Sequence, residues 1–475
     1  MPSYLQASIQ RVVKACQRLI PSLNQPKSSG WLAPFCRLAA ANTASNLMVP
    51  LAGLIDTAFL GHLSDIRFLN GVALATVIFN VIYWSFNFFR MGTTGPTAQA
   101  AGLAASLMAE QGEDSLRGES EIWLILVRNS LLALSVGMLV WLFNDPIADV
   151  GFALLQASDE VKAAALEFYD GRILAAPAVL VNYVLLGWLL GRSQGRQVLV
   201  LAMIGNFSNI FLDYGFIVRL GWGSYGAGLA TALSQYLMLV ASLFLVIRSG
   251  VPWQLWPRIK SRLWQPAALK MLFNLNRDIL IRTFALVISM SLFTNFSSQL
   301  GDTILGVNTL LLQVVLMAAY FMDGIALAVE SYAGNFYGQR ARENLYWLLV
   351  VGMTGSVILG GAIAAALIIW PSPFFGLLTS HTILLEQIPQ YVGWLLPVLS
   401  FGGIAFTLDG YFLGLTAGRT LRNATLIAAL AGFLPLALAA SWLKSPHLLW
   451  LALAGLMATR AVTLTRKVPI TLKQP

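Results

Sequence analysis

VLLGWLLGRSQGR, residues 184–196, is apolar, rich in glycine and present twice. Set without gaps on TLDGYFLGLTAGR, residues 407–419, it matches at 6 of 13 positions, as Leu, Gly, Leu, Gly, Gly and Arg. Glycine returns every four residues in each copy, at Gly187, Gly191 and Gly195 and again at Gly410, Gly414 and Gly418. On a helix this spacing makes one flat face that a neighbouring helix can approach closely. The trailing Arg196 and Arg419 suit a span end that meets water. A weaker echo sets FFRMGTTGPTAQAAG (88–102) on YFMDGIALAVESYAG (320–334), sharing Phe, Gly, Ala and Gly. The offsets, 223 and 232, describe two related halves with a small length change between them.

Both copies sit inside long apolar runs. With 57% hydrophobic residues, 11% charged and a mean hydropathy of +0.71 over 475 residues, the chain has more apolar surface than a soluble core can hide. A hydrocarbon layer of ~30 Å takes ~20 apolar residues per helix. Runs that meet this length fall at 35–62, 68–103, 122–144, 162–191, 197–219, 226–247, 268–300, 304–337, 345–370, 384–415, 420–442 and 447–465. They lack the two-residue alternation of barrel strands. The expectation is an all-α membrane protein with twelve transmembrane helices in two pseudo-symmetric six-helix lobes. An even number of spans per half sends both halves in from the same side, which makes the repeats parallel and places a substrate at the lobe interface.

The basic residues orient the chain. Of 30 Lys and Arg, 20 fall on the side of both termini, 4 on the other (Arg67, Lys162, Arg219, Lys444) and 6 in or at the edge of spans. The positive-inside rule makes both termini cytoplasmic, in a multi-pass protein of the inner cell membrane. The chain then divides into a basic cytoplasmic tail (1–34), an N-terminal lobe (35–248), a cytoplasmic linker (249–267), a C-terminal lobe (268–466) and a short cytoplasmic tail (467–475). RSGVPWQLWPRIKSRLWQPAALK (248–270) reads as a solvated linker beside anionic lipid headgroups. The net charge of +9 thus reflects topology rather than nucleic-acid binding. Cys16 and Cys36 are too far apart for a zinc or redox pair. GWGSYG (221–226) fits a dinucleotide pattern but lies in an external turn between apolar helices, and no P-loop pattern occurs, so ATP is not expected. His62, His381 and His447 lie at span ends without metal-ligand spacing. An ion gradient is the expected energy source, with no cofactor beyond the coupling ion.

Charges within the spans carry the functional information, since each costs ~2.5–3.5 kcal/mol to insert. They are Asp56, Arg90, Asp170, Arg172, Asp213, Arg277, Asp278, Arg282, Asp323, Glu330 and Asp409. Asp170 with Arg172, and Arg277 with Asp278, are neighbours expected to neutralise each other. Asp56, in PLAGLIDTAFLGHL (50–63), has no Lys or Arg within a helical turn or two. In GNFSNIFLDYGF (205–216), Asn209 shares a helical face with Asp213 and Asn206 continues it. A carboxylate among amides can hold a proton or coordinate a small cation. The alternative is a helix-to-helix hydrogen bond by Asn209, with Asp213 at a hydrated helix end.

PLAGLIDTAFLGHL, RMGTTGPTAQA (90–100), LLGWLLG (185–191), GNFSNIFLD (205–213), NRDILIR (276–282), DGIALAVESYAGNFYG (323–338) and TLDGYFLG (407–414) resemble, in that order, the DinF branch of the multidrug and toxic compound extrusion (MATE) family. The resemblance runs from about Leu38 to Arg466. It implies a two-lobed multidrug antiporter that exports amphipathic organic compounds in exchange for protons or sodium. It also implies a proton or cation coupling site at Asp56, Asn209 and Asp213, flanked by Asn206, with Na+ as the one metal that fits there. Arg282 matches a seventh-helix arginine associated with transport, and Asp323, Glu330 and Asp409 match acidic positions of the C-terminal lobe. Where many relatives carry a first-helix proline this chain has Ala41, in LAAANTASN, while Pro50 is kept. The expected protein is a monomer whose partners are an amphipathic substrate and membrane lipids, with no nucleic acid and no ATP. Two rivals stand beside it. A lipid or polysaccharide-precursor flippase calls for a more cationic cavity, whereas here interior acids outnumber unpaired bases. A membrane-embedded enzyme calls for a nucleophile, metal cluster or catalytic carboxylate pair.

Overall fold

A computed structural model describes residues 29–63, 65–109, 115–379 and 381–473, and every regular element among them is helical. Residues 1–28 of the expected basic tail, with Cys16, lie outside the described residues. Cys36 is a free, exposed thiol. The spans are α1 (Leu32–Gly61), α2 (Ile66–Met108), α3 (Arg117–Leu142), α4 (Asp159–Ile173 and Ala176–Gly191, bent by 52°), α5 (Gly195–Arg219) and α6 (Gly223–Arg248). The second half adds α7 (Pro266–Gln299), α8 (Asp302–Gly338), α9 (Arg342–Ile369), α10 (Thr382–Gly414), α11 (Gly418–Trp442) and α12 (Pro446–Leu472). Each corresponds to an expected apolar run. The bend in α4 has a local cause: Pro177, in the first turn of its second half, has no N–H to give the Ile173 carbonyl, and its ring crowds that carbonyl. Pro50 lies inside α1, which otherwise runs unbroken for 30 residues.

The repeated glycines are packing faces. A Cβ at Gly187 would lie 2.5 Å from the Arg90 carbonyl oxygen, and one at Gly191 2.7 Å from that of Thr94, so α4 rides directly on α2. Gly410 and Gly414 meet the carbonyls of Ala326 and Glu330 in the same way, seating α10 on α8. Ser193 and Thr416, at the same place in the two copies, both adopt left-handed backbone, with φ of 58° and 56°. Each turn then reaches the opposite half. Ser193 Oγ lies 2.8 Å from Ser331 Oγ of α8, and Thr416 Oγ1 accepts from Gln99 Nε2 of α2 at 3.4 Å.

The two longest spans, α2 and α8, cross at the centre of the molecule on the side of the termini. Gly102 lies against the Asn335 carbonyl and Gly338 against the Gln99 carbonyl, an exchange that is symmetric about the pseudo-two-fold axis. This pairs Gly102 with Gly338, one helical turn beyond Gly334, the partner that the sequence echo suggests. The echo is therefore out of register by a turn. Contacts with the backbone oxygen of the opposite helix set the true one, and they leave no constraint on side-chain identity beyond smallness. Gln99 Nε2 donates to the Gly414 carbonyl at 2.8 Å and Ser331 Oγ to that of Leu190 at 2.6 Å, closing this side further. Trp31, Phe35, Tyr332 and Phe336 pack edge to face where α1 meets α8.

The linker departs from the solvated loop expected of it. Trp256–Arg262 is a helix, and Ile259 within it is buried along with Leu255 and Leu263 at its two caps, the three spaced by one turn. Arg128 of α3 fastens its end, with Nε donating to the Leu263 carbonyl at 2.9 Å and Nη2 to that of Arg262 at 2.7 Å, and Arg262 pairs with Glu121. An arginine buried in a span thus becomes the linker's anchor.

Candidate functional site

α1 and α5 bring Asp56 and Asp213 face to face. Asp213 is the last regular α-helical residue of α5, 1% exposed, and a π-helical segment, Tyr214–Arg219, begins immediately after it. Such local underwinding recurs at functional positions because it re-aims the side chains beside it. The Asp56 and Asp213 carboxyls lie within hydrogen-bonding reach of each other. Asp56 Oδ1 and both oxygens of Asp213 are buried with no donor among the described residues. Two ionised carboxylates cannot face each other stably; one proton or one small cation between them satisfies both. The acids that look separately unpaired in the sequence are therefore a pair. The rings of Phe59 and Tyr214, 6.3 Å apart, pack α1 against α5 beside it.

A cavity of about 860 Å³ adjoins the pair, bounded by α1, α2, α4, α5 and α6 and by Tyr320 of α8. It reaches Leu60 and Leu69 near the α1–α2 turn, away from the closed crossing. Asp56, Asn206 and Asn209 line it, with Asn80, Tyr83, Asn182 and Gln235 adding amide and phenol groups, while Asp213 stands behind Asp56. Asn209 is 6% exposed and its Nδ2 has no partner among the described residues. Asn206 is less committed to the acids, because its Nδ2 donates to its own helix at the Ala202 carbonyl, 2.7 Å away.

The expected Asp170–Arg172 pair does not form. Asp170 is exposed, while Arg172 turns into the cavity wall with its guanidinium over Phe79 (4.6 Å), Phe168 (5.5 Å) and Tyr83 (5.8 Å). Residues two apart on a helix point to different faces, which is why adjacency in the chain misled. Arg172 is the cation whose field acts on Asp56. Asp278 does meet Arg277, at 3.5 Å, but its shorter contact is Arg422 Nη1 at 2.7 Å, from α11.

The second half carries its own charged centre. Asp409 of α10 accepts, through one oxygen, from both Arg282 of α7 and Arg460 of α12; the three are 3%, 6% and 1% exposed. Asp323 and Glu330 of α8 lie in the field of this group, and for both the strongest opposing charge is Arg90, which comes from α2 in the other half. Arg90 also lines the cavity, so it joins the two charged regions. Arg282 and Asp409 are thus in contact, while Asp323 and Glu330, about two turns apart on α8, lie in the field of Arg282 without forming an ion pair among the described residues. Arg460 escaped the sequence reading, since a base five residues before the end of an apolar run looks like an ordinary anchor. With Arg90, Arg172 and Arg460 placed, the interior is less acidic than the sequence suggests.

A twelve-span helical bundle, closed between its halves on one side and holding a buried, charge-lined cavity that reaches toward the other, is the architecture of a membrane transporter. The sequence pattern of MatE matches residues 43–215 and 279–438, and the chain belongs to that family. It is 34% identical to DNA damage-inducible protein F of Escherichia coli (strain K12) over 431 residues, 90% of each chain. It is 24% identical to a probable multidrug resistance protein NorM of Thermotoga maritima, over 74% of this chain and 73% of that one. Its fold is similar to a solved outward-facing conformation of a multidrug resistance MATE family transporter, with a TM-score of 0.79, 20% identity, and coverage of 93% of this chain and 96% of the other.

Proposed function

We propose that this MATE-family transporter is a secondary antiporter of the inner membrane, monomeric and with both termini cytoplasmic, that exports amphipathic organic compounds in exchange for protons or sodium. The observation that carries this reading is the buried Asp56–Asp213 pair, which needs one positive charge to complete it and borders the cavity through Asp56 and Asn209. Taking up the ion rearranges α1 and weakens the hold on substrate while the cavity faces away from the cytoplasm. Losing it to the cytoplasm allows return. Linkage makes the effect reciprocal: bound substrate weakens ion binding by the same factor. The test is dye efflux in membrane vesicles with proton and sodium gradients imposed separately. Asp56→Asn is expected to lower gradient-driven efflux at least tenfold, and efflux that stays fully gradient-driven removes Asp56 from the coupling role.

Arg90 and Arg172 on the cavity wall are the observation favouring a lipid or polysaccharide-precursor flippase. Arg172 lies over aromatic faces and in the field of Asp56, and Arg90 lies in the field of Asp323 and Glu330, so acids offset both charges, which leaves export of amphipaths the better-supported reading.

A further inference from the structure

A second cavity, also about 860 Å³, lies on the side of the termini, apart from the carboxyl pair and the arginine–aspartate centre. Its walls come from α2 and α3 of one half, from α7 and the α10–α11 turn of the other, and from the linker that joins them. Six charged side chains line it, of which two are acids, Glu121 and Asp278. Both acids are engaged, Glu121 by Arg262 and Asp278 by Arg422 and Arg277. Arg128, Lys270 and Arg419 form no ion pair among the described residues, and of the three only Arg128 lies in the field of a wall acid, Glu121. Arg128 is 9% exposed, and its guanidinium donates to the two linker carbonyls. A carbonyl dipole satisfies an N–H but does not neutralise a buried charge.

Guanidinium and ammonium groups around one cavity select an anion with several acceptor oxygens, as phosphate has. The surroundings indicate where it comes from. Met271, on the wall, is 70% exposed, and Phe273, two residues on, and Trp264, at the end of the linker, are 70% and 63% exposed. Trp253 of the linker, 75% exposed, extends this mixture of aromatic and basic residues, which is the composition of a membrane interface.

We propose that this cavity binds the phosphate headgroup of an anionic phospholipid from the leaflet on the side of the termini, with the acyl chains along the outer face of α7. Gln99 and Gly338, which form the α2–α8 crossing, also line the cavity. A bound headgroup therefore bridges both halves and stabilises the conformation in which this side is closed. The test uses the full chain in neutral detergent, titrated with phosphatidylglycerol, phosphatidylcholine or inorganic phosphate, with thermal unfolding and native mass spectrometry as readouts. Phosphatidylglycerol is expected to raise the unfolding midpoint and remain as one discrete adduct, while the other two do neither. The double variant Lys270→Gln, Arg419→Gln alters exposed side chains and keeps the linker anchor; it is expected to lose more than half of the increment and to need at least tenfold more lipid. Equal increments from phosphatidylglycerol and phosphatidylcholine, or an increment unchanged in the double variant, overturn the site. An increment reproduced by inorganic phosphate assigns a soluble anion and overturns the lipid.

Discussion

Asp409 holds two arginines at once, and no other acid forms an ion pair with either among the described residues. Asp409 Oδ1 and the Nε atoms of Arg282 and Arg460 are buried without partners among the described residues. Asp409→Ala is expected to destabilise by about 3–5 kcal/mol, since two buried cations lose their counter-charge. Replacing all three residues by apolar ones of similar volume is expected to restore most of that stability. Thermal unfolding in detergent checks both, and a single variant as stable as the parent would show that the arginines find other partners. The acids of these centres were legible in the sequence, because a carboxylate in an apolar run is conspicuous. Their partners were not. Asp56 meets Asp213, and Asp409 meets Arg282 and Arg460, across helices far apart in the chain, and no local pattern encodes such a meeting.

At the level of elements, the glycine faces were readable and their targets were not. Gly338 has no room for a side chain against the Gln99 carbonyl, so Gly338→Val forces α2 and α8 apart at their crossing, at a cost of about 1–3 kcal/mol. The expected outcome is a shift toward conformations open on this side. In a cysteine-free background it is read as several-fold faster maleimide labelling of Ser331→Cys, whose parent residue is fully buried. Labelling no faster than without the valine would mean that the crossing is not what closes this side. The linker shows the same division between what is legible and what is not. Its basic and aromatic composition spoke of the membrane surface, but that it is a helix docked on Arg128 follows only from the buried Leu255, Ile259 and Leu263.

For the whole molecule, closure on one side and a cavity reaching toward the other require the halves to move against each other during transport. Ser193 and Ser331, with hydroxyls 2.8 Å apart, join the two halves at positions close enough for a disulfide. The pair Ser193→Cys, Ser331→Cys, with Cys16 and Cys36 replaced, is expected to cross-link on oxidation and stop efflux, and reduction is expected to restore it. Full efflux from a fully cross-linked sample would place the moving boundary elsewhere.

The amino-acid sequence by itself determined the membrane class, the twelve spans, the internal repeat and the acids worth attention. Each is set by composition or by spacing along one helix, and the bilayer enforces both without reference to distant residues. Only the tertiary structure decided that Asp56 and Asp213 form one pair, that Arg172 abandons Asp170 for the cavity, that Arg460 completes the Asp409 centre, and that the α2–α8 register lies a turn from the echo. In every one of these cases the deciding contact joins different helices, and a buried charge takes the partner that three-dimensional packing brings within reach.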